Sequence, residues 1–293
     1  MVARRLKEAG HAVYVVGGAL RDLLLGRIPA DWDLATSARP DDMRSLFEGW
    51  QVIDVGARHG TLGVIPASPA DAPPPHAPPA STGTPGPEAP APFPPTQGIV
   101  QVTTFRVEGP YSDFRHPDYV WFVSGLHADL SRRDFTANAL ALDPFTGELH
   151  DPWGGREDVE RGLVRAVGDA ESRFREDALR PLRAFRLVSE YGWEIEPATS
   201  RAITRCASLV EKVAPERVRV ELERILQGPR VGKALRLMAV HNLLGCLLPG
   251  LNVSRVPWDR LERLPPRVEL RLAALLQAGL AGPGGRWQVV APV

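Results

Sequence analysis

Lysine is almost missing from this chain: it occurs at Lys7, Lys212 and Lys233, and arginine carries nearly all the positive charge. Guanidinium forks suit phosphate recognition, but codon bias is the simpler account of so general a preference. Cysteine is equally scarce. Cys206 and Cys246 stand without a CxxC or Cys/His spacing, so neither a zinc site nor a disulfide framework is expected, and a reducing, cytoplasmic setting fits. No stretch approaches the roughly eighteen uninterrupted apolar residues of a membrane span, and the amino-terminal MVARRLKEAG lacks the apolar core of a signal peptide. The expectation is a protein neither secreted nor membrane-spanning. Net charge is absent too. Because 35 basic residues balance 35 acidic ones, a nucleic-acid surface has to come from local clustering of charge.

What is present is length and pattern. At 293 residues the chain can form two or three packed units. Residues 3–9 predict a short helix ended by Gly10, and AVYVVGG (12–18) a strand stopped by paired glycines. ALRDLLLG (19–26) predicts a helix closed by Gly26, DWDLATS a short strand, and DDMRSLFEGW after Pro40 a second amphipathic helix. QVIDVG, TLGVI and IVQVTTFRV add strands, and the alternation predicts a mixed sheet with helices packed on it. Between Ala67 and Gln97 the composition turns to Pro, Ala, Ser, Thr and Gly. Such a segment buries too little apolar surface to offset its ordering entropy, and it reads as a disordered insertion between two strands. A tolerated surface-loop expansion is expected in preference to a Pro-rich partner-binding segment. From about Asp158 the pattern is helical, with no repeat of fixed period.

The chemistry concentrates in GGALRDLLLGRIPADWDLAT, Gly17 to Thr36. Asp31 and Asp33 are two apart, so in an extended segment both carboxylates project to one face and suit a pair of hard divalent cations. Gly17 and Gly18 after a strand allow phosphate to approach backbone N–H groups, and the helix N-terminus that follows adds favourable partial charge. Arg21, one turn in, is placed to fork onto a triphosphate. The order strand, GG, helix with RD, loop and DxD resembles the nucleotide-binding signature of the tRNA CCA-adding and bacterial poly(A) polymerase family, class II, within the polymerase-β-like nucleotidyltransferases.

The resemblance extends from about Val13 to Leu251. SRRDFTANALALD (131–143) is similar to the family segment that contacts the incoming nucleotide and its ribose, which implicates Arg132, Arg133 and Asp134. DPWGG (151–155) is similar to the joint after the catalytic domain, a hinge candidate. REDALRPLRAFR (175–186) matches the EDxxRxxRxxR signature. If helical, it places Asp177 and Arg180 one turn apart on one face, with Arg183 and Arg186 continuing the stripe. Cytosine and adenine each present an amino donor beside a ring-nitrogen acceptor, whereas guanine and uracil present the opposite order. An Asp acceptor beside an Arg donor therefore selects C and A. PERVRVELERIL (215–226) resembles a helix that orients this reading element, with Arg217, Glu221 and Arg224 as candidates.

The resemblance implies an α/β (α+β) head with a mixed sheet over residues 1–143, an all-α neck over 144–212 and a partial helical body over 213–293. It implies template-independent addition of C and A to the tRNA 3′ end from CTP and ATP, releasing pyrophosphate. Mg2+ is the implied cofactor, held by Asp31 and Asp33, which are also the catalytic pair. Four departures stand out. Gln101 occupies the place of the family's third carboxylate before VTTFR. Pro181 falls within the reading helix and is expected to bend it. The 67–97 insertion is foreign to the pattern, and the chain ends at Val293, short of the family's tRNA-gripping tail. EGPYSDFRHPDYVWF (108–122) resembles an intact flexible loop, which disfavours a CC-only enzyme. CCA addition, A-only addition, poly(A) tailing and a decayed RNA-binding homologue remain as alternatives.

Overall fold

Val13–Val16 (β1) follows a short helix, α1 (Val2–Glu8), and runs directly into α2 (Gly17–Leu24). Next come β2 (Trp32–Thr36), α3 (Pro40–Leu46), β3 (Gln51–Gly56) and β4 (Thr61–Ile65). Then follow β5 (Val100–Thr104), β6 (Arg106–Glu108), β7 (Val120–Phe122), α4 (Leu126–Ser131), β8 (Ala141–Leu142) and β9 (Leu149–His150). This computed structural model describes residues 1–66, 98–109, 111 and 118–280. The expected insertion at 67–97 and residues 110 and 112–117 of the expected loop at 108–122 lie outside the described residues.

Seven of these strands form one mixed sheet in the order β3-β4-β5-β2-β1-β8-β9. β1 is antiparallel to both β2 and β8, and β2 is parallel to β5. β1 and β2 carry much of the buried apolar surface of the sheet: Val13, Val15, Val16, Leu34 and Ala35 are all buried. α3 starts one residue before the expected Asp41 and ends at Leu46, short of the expected Trp50. Pro40 fits the first turn, where a backbone N–H has no partner anyway, and the Asp42 carboxylate accepts the Arg39 N–H at 2.9 Å. Leu6, Met43 and Phe47 bury the helical side of this unit.

The rest of the chain is helical: α5 (Gly155–Arg161), β10 (Leu163–Val164), α6 (Ala170–Glu176), α7 (Arg180–Tyr191), β11 (Glu194–Ile195), α8 (Pro197–Cys206), α9 (Pro215–Gln227), α10 (Val231–Val240), α11 (Leu243–Leu247), α12 (Trp258–Arg263) and α13 (Val268–Leu280). β10 and β11 make a small parallel pair, and Phe174, Leu182, Phe185, Ile225 and Leu235 centre the apolar interior. No helix among the described residues is long and apolar enough to cross a membrane.

The chain divides into two units. The first comprises Met1–Val107, Val120–Arg132 and Asn138–Pro152; the second comprises Glu108–Tyr119, Arg133–Ala137 and Trp153–Val293. The expected head at 1–143 is thus interleaved with the second unit, and the ranges 144–212 and 213–293 share that unit from Trp153 onward.

Two local expectations are corrected. α2 begins at Gly17, not after Gly18, and a φ of +71° at Gly17 turns the chain straight from strand to helix. The stretch 175–186 is not one helix. α6 stops at Glu176, Asp177 is extended at φ −130°, ψ 107°, and α7 begins at Arg180. Pro181 therefore lies in the first turn of α7, where its missing N–H costs no hydrogen bond. It starts the helix and bends nothing.

Candidate active site

In the first unit, three features meet at one end of the sheet. Val16, the last residue of β1, is the register partner of Asp33, so the glycine-started helix α2 leaves the sheet beside that carboxylate. On the other side of β2, Asp33 is in parallel register with Gln101 of β5. Asp31 lies in the bend just before β2, exposed, and Asp33 is half-buried. Among the described residues no three His, Cys, Asp or Glu side chains form a metal cluster. The third oxygen donor near Asp33 is an amide. Two carboxylates with an amide oxygen, and no thiolate or imidazole, fit a hard divalent cation.

Arg21 is buried and turned inward. Its Nε and Nη2 donate to Asp22 Oδ1 at 3.1 and 3.0 Å, and its Nη1 donates to Asn138 Oδ1 at 2.9 Å. A Cβ on Gly18 would lie 3.3 Å from Arg21 Nη2, so the glycine leaves room for the guanidinium as well as exposing the backbone. Arg132 caps α4 and is held by Asp129, a fully buried carboxylate 2.7 Å from its Nη2. Neither Asn138 nor Asp129 is evident from sequence, because no local spacing links position 21 to 138 or flags an aspartate inside a short helix.

In the second unit the EDxxR element is arranged differently from a single helical stripe. Asp177 accepts the Leu179 N–H at 3.1 Å and pairs with Arg217 Nη2 at 3.1 Å. Arg180 is buried, and its Nη1 donates to Glu176 Oε2 at 2.6 Å and to Arg173 O at 3.0 Å. Asp177 and Arg180 are neighbours across a helix break and hold other partners. Arg186 Nη1 meets both Glu221 oxygens at 3.0 and 3.1 Å. Arg217 and Glu221 of α9 thus grip the start and middle of the 175–186 segment, while Arg224 is exposed.

Arg183 joins the RRDFT segment to α7: its Nη2 lies 2.7 Å from Asp134 Oδ2. The Asp134 carboxylate raises the Arg183 guanidinium above its ordinary value, whereas burial, assisted by the like charge of Arg183, lowers that of Arg186. Tyr111, at the described edge of the 108–122 loop, donates to Glu108. Burial, followed by the charge of Glu108, pushes its phenol well up. The sequence-predicted residues therefore fall into two sets: Gly17, Gly18, Arg21, Asp31, Asp33 and Arg132 in the first unit, and Arg133, Asp134, Asp177, Arg180, Arg183 and Arg186 in the second.

Comparison with known proteins bears on both sets. Residues 13–70 and 92–165 match the family described as poly A polymerase head domain, and residues 192–254 match the probable RNA and SrmB-binding site of polymerase A. A CCA-adding enzyme of Geobacillus stearothermophilus is 43% identical over 250 residues, 85% of this chain and 54% of that protein. One from Geobacillus thermodenitrificans is 42% identical over 99% of this chain and 61% of its own length. The chain spans about half the length of the first of these curated relatives. The crystal structure of the Bacillus stearothermophilus CCA-adding enzyme in complex with CTP superposes with a TM-score of 0.67 at 35% identity, covering 94% of this chain and 67% of that one. With two matched family segments and this degree of identity, the chain belongs to the tRNA CCA-adding enzyme and poly(A) polymerase family.

Proposed function

We propose that the chain is a nucleotidyltransferase that adds C and A to the 3′ end of tRNA, without a nucleic-acid template, from CTP and ATP. The observation that carries this reading is the convergence of the α2 start, Asp33 and Gln101 at one end of the sheet, in a chain that also carries the EDxxR element. The crystal structure related at 35% identity is that of a CCA-adding enzyme in complex with CTP, which supports the same assignment.

Divalent metals are general to such phosphoryl transfer, and we propose magnesium, held by Asp31, Asp33 and the Gln101 amide. When bound, the metal supplies charge neutralisation at the phosphates and a more acidic 3′-hydroxyl. The chain's own residues do the rest. Gly17 and Gly18 present backbone N–H groups to phosphate oxygens. Arg21, braced by Asp22 and Asn138, adds positive charge to the same helix start. In the second unit Asp177 accepts from the exocyclic amino group of C or A; a carboxylate has about four acceptor sites, enough to keep Arg217 as well. Arg180 donates to the ring nitrogen. Leaving such a buried group unmatched costs about 1–3 kcal/mol, which is the basis for rejecting G and U. Arg133, Asp134, Arg183 and Arg186 complete the nucleotide-binding set. The reaction belongs in the cytoplasm, where tRNA and nucleoside triphosphates meet.

The test is incorporation into tRNA transcripts ending before CCA, after C and after CC, with each triphosphate singly and with CTP plus ATP. Ordered C, C, A addition is expected, lost in an Asp31→Ala, Asp33→Ala double variant and without G or U. A alone, stopping after one residue, assigns A addition; continued growth assigns tailing. No product from folded protein overturns the reading.

A further inference from the structure

Residues 133–137 leave the first unit, belong to the second, and return. What holds them there is a set of contacts centred on a carboxylate outside the motifs assigned above. Phe135 bridges Ala166 in antiparallel fashion. The Thr136 N–H donates to Arg165 O at 2.9 Å, and the Val167 N–H donates to Asp134 O at 3.1 Å. The Thr136 hydroxyl donates to Asp158 Oδ2 at 2.5 Å. That same oxygen accepts Arg165 Nε at 2.8 Å, while Arg165 Nη2 donates to Trp153 O at 2.9 Å. Asp158, in the first turn of α5, is 3% exposed, and Thr136 is buried with it. One carboxylate thus ties together the chain before α5, the exit from β10 and the RRDFT segment.

A buried carboxylate is a poor investment for stability alone, since apolar replacement of such clusters is often neutral or favourable. Its charge-assisted hydrogen bonds are directional, however, and fix what they hold. We infer that Asp158 is a positioning residue for nucleotide binding: through Thr136 and Arg165 it sets the place of residues 133–137, and with them Arg133 and Asp134. The inference rests on the reading that these two residues bind the incoming nucleotide.

Three variants of the full chain test it: Asp158→Asn, Thr136→Val, which removes one donor at nearly constant shape, and Thr136→Ser as the conservative rescue. Hydrogen exchange reports the segment itself, and exchange at 133–137 is expected to accelerate about tenfold in the first two variants with α8–α10 unchanged. Steady-state incorporation reports its use: KM for CTP and ATP is expected to rise about five- to tenfold while kcat falls less than about twofold. Thr136→Ser restores both. If Asp158→Asn does not fold, Thr136→Val carries the test. Unaltered exchange overturns the inference, and so does faster exchange with KM unchanged; in both cases an active wild type leaves the functional reading standing. A wild type that incorporates nothing removes that reading and the nucleotide role of Asp158 together, and is recognised because it fails before any variant is made.

Discussion

At Gln101 an amide stands beside Asp33, on the strand in parallel register with it. An amide oxygen ligates a hard cation but brings no charge. Replacing it by a carboxylate should tighten metal binding, and in Gln101→Glu the magnesium concentration for half-maximal incorporation is expected to fall roughly tenfold, ~1.4 kcal/mol. A magnesium titration of wild type and variant checks this, and an unchanged half-saturation point refutes it. Single residues were also where the sequence was most and least informative. The spacing of two that singled out Asp31 and Asp33 has a direct geometric meaning only in extended chain, and β2 takes in Asp33 but leaves Asp31 in the bend before it. The inward turn of Arg21 was not legible, since its partner Asn138 is distant in sequence and lies in a short turn with no periodic signal.

At the scale of elements, periodicity located most strands and helices but missed the break at Asp177. REDALRPLRAFR has helical composition apart from Pro181, which pointed to a bend at the wrong place. The break comes from Asp177, whose carboxylate accepts the Leu179 N–H and whose carbonyl accepts the Arg180 N–H at 3.0 Å, a side-chain-to-backbone arrangement that competes with the helix. Pro181 then favours a helix start. The packing of α7, α8 and α10 was likewise invisible in sequence, and it converges on His241. Its ring nitrogens face Thr204 Oγ1 at 2.7 Å and Ser200 Oγ at 3.3 Å on α8, and its ring lies 6.0 Å from that of Phe185 on α7. Burial lowers its pKa below the ordinary 6.5. The sign follows from linkage: above the unfolded value both states are neutral, whereas below it the unfolded chain takes the proton first, so stability falls as pH falls toward the folded pKa. Between about pH 7.5 and 5.5 the thermal midpoint of wild type should therefore drop more than that of His241→Gln. Equal drops in the two proteins would assign the acid sensitivity elsewhere.

At the scale of the whole molecule, the order of strands and helices and the turn to helix after Asp158 were legible, because both follow from apolar patterning. The interleaving of two units was not: residues 133–137 carry no composition that distinguishes them from their flanks, and only long-range contacts assign them. Residues 67–97 stand at one connection of the sheet. They connect β4 to β5, and these strands are antiparallel neighbours with Val64 opposite Val100 and Gly63 opposite Gln101. The ends of the connection are therefore brought together by the sheet itself, and a turn of a few residues suffices to join them. Shortening the connection between Ile65 and Val100 in this way, roughly sixfold, is about two and a half halvings, which lowers the entropy cost of closing the loop by about 1.5 kcal/mol. Excising 68–97 in favour of a short Asn-Gly turn is expected to raise the thermal midpoint by a few degrees, roughly 4 °C. Because Gln101 is one residue beyond the pair that closes this hairpin, incorporation tests whether the register survives. Rates within about twofold of wild type are expected, since a slip of one residue would turn Gln101 to the opposite face from Asp33. Loss of activity with a higher midpoint would mean that the short turn has shifted the register of β5.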